Sequence, residues 1–350
     1  MDSLFLEDFS LFPLNLFLKL PFITALGQKK ISRNLSITVQ LSDGSTGYGE
    51  ASESLAMPSQ TQTSMANALK RIHLNLIGKS VANLKQLKQL CRQAWELEPD
   101  FSTAVAAFES ALFDAFCKSQ GQSLWRFFGA KNRTLRTSYT ISVWPSTLAA
   151  KVARRVYQKG FRQLKIKVAG EIDEDLKRIQ AVSRVAPRAA LWLDANQALS
   201  VNSALQFLRE LKRLKISILF LEQPLPKQNW EELTELRGKT NIPIALDESL
   251  QNTRDARRIA QKNLAEILNI KLAKSGITGA LEIMRIAQQN QKKLMIGCVA
   301  ESARGLTPSV HLAAGCGVFD YVDLDSHLLV ESPTESTTFT TKGDRLTIQL

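Results

Sequence analysis

Ionisable side chains recur at a nearly constant interval in the second part of this 350-residue sequence. Lys167, Asp194, Glu222, Asp247 and Lys271 follow one another at steps of 24 to 28 residues, and each stands at the end of a short apolar run. One strand and one helix of an α/β barrel together occupy about 30 residues. The interval therefore predicts that these side chains lie at the same end of successive parallel strands.

Three of these residues are carboxylates from consecutive strands: Asp194, Glu222 and Asp247. Mg²⁺ prefers oxygen ligands in near-octahedral geometry, and it usually keeps positions open for water and substrate. We therefore expect these three side chains to form a Mg²⁺ site.

Lysines stand on both sides of the three carboxylates. Lys165 and Lys167 are two residues apart and share one face of a strand, while Lys271 approaches from the other direction. Because neighbouring cations disfavour the charged form of a lysine, we expect lowered pKa values for Lys165 and Lys167, close to each other and to the metal, which suits proton removal. Two bases on opposite sides of a metal-bound substrate could take a proton from one face and return a proton to the other.

The apolar runs that carry these residues predict a parallel barrel. They alternate with amphipathic helical segments such as Glu171 to Val185, and short runs of this kind are typical of a parallel sheet covered by helices. The expected fold class is α/β, with a (β/α)7β TIM-type barrel whose strand ends form an active-site mouth. No GxGxxG sequence follows any of the runs, which disfavours a dinucleotide site. The runs are TSYTISV, FRQLKIKV, AALWLD, SILFLEQP, IPIALDE, EILNIKL, KLMIGCV and FDYVDLD.

The sequence before the barrel has a different pattern of apolar residues. The apolar N-terminal run predicts strands, Ser42 to Ser45 predict a hairpin turn, and an apolar stripe predicts a helix from Ser102 to Lys118. We expect an α+β capping domain over residues 1–125, completed by residues 330–350, and a barrel domain over residues 126–329. The C-terminal run KGDRLTIQL predicts a strand that returns to the cap.

The net charge of +12 raises the alternative of a nucleic-acid-binding protein. The basic residues are spread over the predicted helices, as in LRELKRLK, without the clustered pattern of a nucleic-acid surface. The four cysteines are widely spaced and predict reduced thiols. No run is long and apolar enough for a membrane span. We expect a cytoplasmic protein with neither a nucleic-acid nor a membrane partner.

These motifs resemble the enolase superfamily and, within it, the muconate lactonising enzyme subgroup. The segments PFITALG and GYGEA are similar to the capping domain of that family. FESALFDAFCKSQGQSLWRFFGA is similar to its connecting helix, and LKIKV, LDANQ, LEQP, LDES and NIKLAKSGI are similar to its successive barrel strands. The resemblance covers nearly the whole chain, and it implies a capped barrel enzyme that often forms a homo-oligomer.

The resemblance also implies roles for individual residues. Mg²⁺ would be bound by Asp194, Glu222 and Asp247, with Asn196 and Glu248 near it. Lys167 and Lys271 would be the paired acid/base catalysts, with Lys165 at the substrate carboxylate. Asp323 and Asp325 share one face of the eighth strand, and in the dipeptide epimerases of the subgroup such a DxD pair holds the substrate's α-ammonium group. Thr140 and Cys298 would contact the substrate, and Glu301 could line the same mouth.

The implied function is an isomerase that inverts the α-carbon of the C-terminal residue of a dipeptide through an enolate. An o-succinylbenzoate synthase or a muconate-type cycloisomerase stays open as an alternative. Relatives acting on L-Ala-L-Glu resemble this chain but carry an arginine where Gly27 stands here. Lys29 or Lys30 could replace that arginine, so the sequence leaves both acidic and apolar dipeptides as candidate substrates.

Overall fold

The computed structural model describes residues 4–331 and 337–349. In chain order it contains a three-stranded antiparallel sheet, a group of helices, a parallel eight-stranded sheet and a C-terminal hairpin. The strands are β1 (Leu6–Thr24), β2 (Gly27–Leu41), β3 (Thr46–Ala51), β4 (Thr134–Arg136), β5 (Tyr139–Ile141), β6 (Gln163–Lys167), β7 (Ala190–Asp194), β8 (Leu221–Glu222), β9 (Ile244–Leu246), β10 (Ile267–Ile270), β11 (Lys293–Gly297), β12 (Tyr321–Asp323), β13 (Phe339–Lys342) and β14 (Arg345–Ile348). The helices are α1 (Gln62–Leu76), α2 (Leu84–Leu97), α3 (Ser102–Ser119), α4 (Leu124–Phe127), α5 (Ser146–Gln158), α6 (Ile172–Val185), α7 (Val201–Arg213), α8 (Trp230–Lys239), α9 (Thr253–Gln261), α10 (Leu272–Gln289), α11 (Ala303–Cys316) and α12 (Ser326–Leu329).

The first three strands form the antiparallel sheet of the expected α+β unit. The apolar N-terminal run is the 19-residue strand β1, which pairs antiparallel with β2. The predicted turn joins β2 to β3 and is closed by a hydrogen bond from the Gly44 amide to the Leu41 carbonyl oxygen. No helix within residues 4–331 and 337–349 is long and apolar enough to cross a membrane.

Helix α3 connects the cap sheet to the barrel. It agrees with the predicted helix to within one residue, and Phe101 precedes it without a side-chain cap. Gly47 and Gly49 lie against it so closely that an added Cβ would stand 2.0 Å from the carbonyl oxygens of Ala111 and Ala107. Small residues on both surfaces therefore bring β3 into backbone contact with α3.

Strands β5 to β12 form the predicted barrel. Each coincides with one of the eight apolar runs, neighbours in the chain are hydrogen-bonded neighbours in the sheet, and one long helix follows each of the first seven strands. The sheet is nearly closed, because the Ser138 amide donates to the Val322 carbonyl oxygen at 3.0 Å across the gap between β5 and β12. The prediction of an α/β fold with a capped (β/α)7β barrel is confirmed.

The C-terminal hairpin makes a contact that differs from the expected one. Strand β14 pairs with β13 and with β4, just before the barrel, instead of joining the β1–β3 sheet. The run KGDRLTIQL therefore forms a strand as predicted but pairs next to the barrel. The boundaries 1–125, 126–329 and 330–350 stay a prediction, and residues 1–3, 332–336 and 350 of these segments lie outside the described residues.

Candidate active site

Alternation along the strands explains how the barrel presents its ionisable residues. Inside the barrel, apolar side chains pack into a floor in which the Trp192 and Phe220 rings stack at 5.1 Å. Because every second residue of a strand faces the same side, the residue two positions later also points inward, nearer the carboxyl end. The floor and site residues pair as Trp192 with Asp194, Phe220 with Glu222, Ala245 with Asp247, and Tyr321 with Asp323.

A pocket between this end of the barrel and the cap brings together the residues predicted from the sequence. Asp194 and Glu222 are wholly buried and contact Lys165, which lies at the base of the pocket. The other predicted residues line the pocket, namely Thr140, Lys165, Lys167, Asp247, Lys271, Cys298, Asp323 and Asp325.

Lys165 is the centre of a buried ion cluster. Its Nζ lies 2.9 Å from Asp194 Oδ2, 2.9 Å from Glu222 Oε2 and 2.8 Å from Asp323 Oδ2. These acids come from β7, β8 and the end of the barrel at β12. One ammonium group therefore connects carboxylates on three strands.

The other two lysines stand on opposite walls. Lys167 on β6 donates to Asp194 Oδ2 at 2.5 Å, and Lys271 at the end of β10 donates to Asp247 Oδ2 at 2.7 Å. Four strand steps in an eight-stranded barrel separate β6 from β10. A molecule bound at the centre is therefore flanked by one ammonium group on each side.

Two of the lysines have raised pKa values, and for Lys165 this direction is opposite to the expected one. Burial lowers the pKa of Lys271, but the attraction of Asp247 is stronger and raises it above the ordinary lysine value. Burial likewise lowers the pKa of Lys165, yet Asp194 and Asp323 raise it well above that value. The neighbouring cations are visible in the sequence, whereas the closer carboxylates come from other strands.

The carboxyl groups respond in different directions. Burial raises the pKa of Glu222 to about 7, with repulsion from Asp194 as a further cause. Burial also opposes ionisation of Asp247, but Lys271 and Lys274 outweigh it and hold the pKa of that carboxyl below its usual range. Lysines likewise hold the pKa of Asp194 below its usual range against the effect of burial, so Asp194 and Asp247 are both stabilised as anions.

The donor set suits a hard cation. Buried oxygens of Glu222 (Oε2), Glu248 (Oε2) and Asn196 (Oδ1) accept no hydrogen bond, although Glu222 Oε2 lies close to the Lys165 ammonium. Within the described residues no three acidic, His or Cys side chains already stand as a coordination set, and lysines bind the oxygens of Asp194 and Asp247. The oxygen-rich chemistry fits Mg²⁺, for which these lysines would have to yield carboxylate oxygens.

Two aspartates lie at the end of β12, which neighbours β11 and closes the barrel against β5. Asp323 Oδ1 accepts from Ser138 Oγ at 2.7 Å, and Asp325 Oδ2 accepts from the Thr140 amide at 2.6 Å. Burial, together with repulsion from Asp323, raises the pKa of Asp325 to about 7. Both carboxylates line the pocket, so this end can receive a cationic group.

The cap supplies the remaining wall. Its lining is mainly apolar, and Lys29 is the one cation that the described cap residues contribute to it. Lys30 is exposed outside the lining, and Gly27 is exposed as well. Glu301, expected at the mouth, instead lines a small neighbouring cavity with Glu50. The apolar lining residues of the cap are Leu18, Phe22, Leu26, Leu55 and Ala56.

Several residues that hold the site were not predicted from the sequence. Asn269 Nδ2 donates to Glu222 Oε1 at 2.8 Å, and Lys274 Nζ donates to Asp247 Oδ1 at 2.6 Å. Gln223 Oε1 accepts from the Asp247 amide at 3.1 Å. Asn269 stands two residues before Lys271 on an inward face, so strand alternation could have identified it. Lys274 lies in the first turn of α10 and Gln223 in the irregular backbone after β8, where strand alternation gives no indication.

Comparison with known proteins places this architecture in a family. Residues 10–129 match the mandelate racemase/muconate lactonizing enzyme N-terminal domain, and residues 147–345 match the enolase C-terminal domain-like family. An aromatic dipeptide epimerase from Herpetosiphon aurantiacus is 34% identical over 91% of this chain and 88% of its own length. An L-Ala-D/L-Glu epimerase from Thermotoga maritima is 31% identical, with 91% of each chain covered.

A solved structure extends the similarity to the whole architecture. The dipeptide epimerase from Cytophaga hutchinsonii, in complex with Mg and the dipeptide D-Ala-L-Val, superposes with a TM-score of 0.92 at 28% identity, covering 98% of this chain and 93% of that one. The prediction of an isomerase is confirmed by relatives that are named epimerases. With its cap and barrel both matched, the chain belongs to the mandelate racemase/muconate lactonizing enzyme family of the enolase superfamily.

Proposed function

We propose that this chain is a Mg²⁺-dependent dipeptide epimerase. The observation that carries the proposal is the placement of Lys167 and Lys271 on opposite walls of a pocket that also holds Asp323 and Asp325. A dipeptide has an ammonium group at one end and a carboxylate at the other. The aspartate pair suits the first group, and Lys165, together with a Mg²⁺ ion held by Asp194, Glu222 and Asp247, would suit the second. The names of the similar epimerases support the same substrate class.

The residues divide the chemistry among them. Asp194, Glu222 and Asp247 would hold Mg²⁺, which when bound neutralises negative charge on a substrate carboxylate. Lys165, already surrounded by acids, adds positive charge at the same place. Asp323 and Asp325 bind the α-ammonium group and so set the orientation of the substrate. Lys167 or Lys271 removes the α-proton next to the carboxylate, and the opposite lysine delivers a proton to the other face.

The cap indicates which side chains the pocket accepts. Its lining by Leu18, Phe22, Leu26 and Leu55 favours an apolar C-terminal residue in the dipeptide. Lys29 Nζ already donates to the Glu53 carbonyl oxygen at 2.8 Å and to Ser32 Oγ at 3.1 Å, which leaves it little donor capacity. We therefore propose apolar dipeptides as preferred substrates and acidic ones as poorer substrates.

The proposed function is tested by α-proton exchange in D₂O with a dipeptide library. We expect deuterium at the α-carbon of the C-terminal residue, conversion of L,L into L,D dipeptides, loss of both after EDTA treatment and recovery with Mg²⁺. The proton NMR signal of the α-proton gives the rate. Absence of dipeptide exchange, with dehydration of a cyclohexadiene carboxylate instead, would establish the synthase alternative.

Lys29 should decide how well acidic dipeptides compete. Burial lowers the pKa of Lys29 to about 8, with Glu53 opposing the shift, so this side chain is a cation below pH 8 and loses its charge above it. In Lys29→Met we expect kcat/KM for L-Ala-L-Glu to fall about fivefold relative to L-Ala-L-Leu, the value of an ion pair of about 1 kcal/mol. In the wild type the same ratio should fall as the pH rises through about 8.

The matched control is Lys30→Met, because Lys30 is the next residue and is exposed outside the pocket. It should leave the ratio and its pH dependence unchanged. An equal effect of the two substitutions would show that Lys29 acts only through the general charge of the surface.

A further inference from the structure

Asn34, on strand β2 of the cap, is a buried residue whose amide group is fully used. Its Nδ2 donates to Glu50 Oε1 and to the Ala300 carbonyl oxygen, both at 2.7 Å. Its Oδ1 accepts from Ser32 Oγ at 2.8 Å and from the Glu53 amide at 3.3 Å. The side chain is completely buried, so these four bonds hold it in one orientation.

The partners of Asn34 belong to two walls of the pocket. Ala300 lies in the loop after β11, whose residues Cys298 to Ala300 line the pocket on the barrel side. Glu53 directly precedes Ser54 and Leu55, which line it on the cap side. One amide group therefore connects the cap wall of the pocket to its barrel wall. The hydrogen bond that does so joins Asn34 to Ala300, which are 266 residues apart in the sequence.

Glu50 forms a second connection at the same place. Its carboxylate accepts from the Ser302 amide at 3.0 Å and from Ser302 Oγ at 2.5 Å. Ser302 is also the residue whose side chain caps helix α11. The cap therefore contacts the loop after β11 at two places: Glu50 contacts it at Ser302, and Asn34 contacts it at Ala300.

We propose that Asn34 is a positioning residue that sets the separation between the cap wall and the 298–300 loop, and thereby the fit of the dipeptide. Asn34 does not line the pocket, and its hydrogen-bond partners among the described residues include none of the proposed metal ligands or paired lysines. Its effect should therefore fall on dipeptide binding and leave the metal site unchanged. This inference rests on the proposed function for the identity of the ligand.

The test compares Asn34→Asp with the double variant Asn34→Asp/Glu50→Gln. Aspartate keeps the size of asparagine but loses both donors, so its oxygens face Glu50 and the Ala300 carbonyl oxygen. In the double variant, the glutamine introduced at position 50 can donate to the new aspartate and still accept from Ser302 Oγ, while the Ala300 carbonyl oxygen and the Ser302 amide stay without their former partners. Because the repulsion between the two carboxylates is removed, we expect the double variant to regain part of the lost thermal stability but to keep the defect in dipeptide binding.

Both variants should show a KM about 10- to 100-fold above the wild type, the scale of a misplaced binding wall, with a smaller change in kcat. The Mg²⁺ affinity measured by calorimetry without dipeptide should stay within about twofold of the wild type. Amide hydrogen exchange at residues 299–302 should be faster in both. Asn75→Asp, an exposed substitution on cap helix α1, is the control and should change none of these values.

A KM that recovers together with stability in the double variant would reduce Asn34 to a purely structural residue and overturn the inference. Unchanged exchange at residues 299–302 would also overturn it, and this readout needs no dipeptide turnover. Failure of the wild-type enzyme to turn over any dipeptide contradicts the proposed function, whereas a wild-type KM in Asn34→Asp contradicts only the role of Asn34.

Discussion

Replacing Lys271 or Lys167 with alanine should lower the rate of epimerisation about a thousandfold, the scale of losing a general acid/base. The two side chains stand on opposite walls, so each serves one face of the α-carbon. Each single variant should therefore still exchange the α-proton of one diastereomer, without inverting it, and the two variants should retain opposite diastereomers. The measurement is proton NMR in D₂O with L,L and L,D dipeptides supplied separately.

Lys227→Ala is the matched control, because this exposed lysine follows β8 outside the pocket. It should exchange and invert both diastereomers at the wild-type rate. If Lys167→Ala and Lys271→Ala both kept full epimerisation, the two-lysine mechanism would be wrong. Retention of the same diastereomer by both variants would place the lysines on one face and contradict the geometry.

Asp325→Asn should raise the KM for a free dipeptide about 30-fold or more. Asparagine can still accept the hydrogen bond from the Thr140 amide, so the barrel closure at that point is preserved. What is lost is the negative charge opposite the substrate's ammonium group, and an unpaired partner in a buried charge pair costs about 2 kcal/mol or more. The wild type should discriminate strongly against an N-acetylated dipeptide, and the variant should discriminate much less.

Asp320→Asn provides the control at the opposite end of the same strand. Asp320 precedes β12 and accepts from the Leu294 amide, a bond that asparagine can also accept. It should leave the KM and the preference for a free amino terminus unchanged. An Asp325→Asn enzyme that kept the wild-type discrimination would show that the ammonium group is bound elsewhere and would contradict the proposed role of Asp325.

The barrel and the grouping of its ionisable residues were predictable because both follow from local repeats. The alternation of apolar runs with amphipathic helices indicated the eight strands, and each observed strand lies within its predicted run. The steps between Lys167, Asp194, Glu222, Asp247 and Lys271 placed these residues at one end of the barrel. Strand alternation determines which way these side chains point, because a residue two positions after a floor residue also faces inward.

The lysine pKa values show where prediction from the sequence reached its limit. The sequence places Lys165 two residues from another cation, which suggested a lowered pKa. In the folded chain its ammonium group instead contacts Asp194, Glu222 and Asp323, which raise the pKa. Neighbours along the strand were visible in the sequence, but the nearest charges come from other strands.

The sequence by itself determined the strand ends, the order of the charged residues and the face on which each stands. Tertiary structure alone decided the pairing of the C-terminal hairpin with β4, the displacement of Glu301 from the pocket and the link from Asn34 to Ala300. Strand alternation repeats every two residues and can be read locally. A hydrogen bond of about 3 Å between residues hundreds of positions apart requires complete packed surfaces to meet in register.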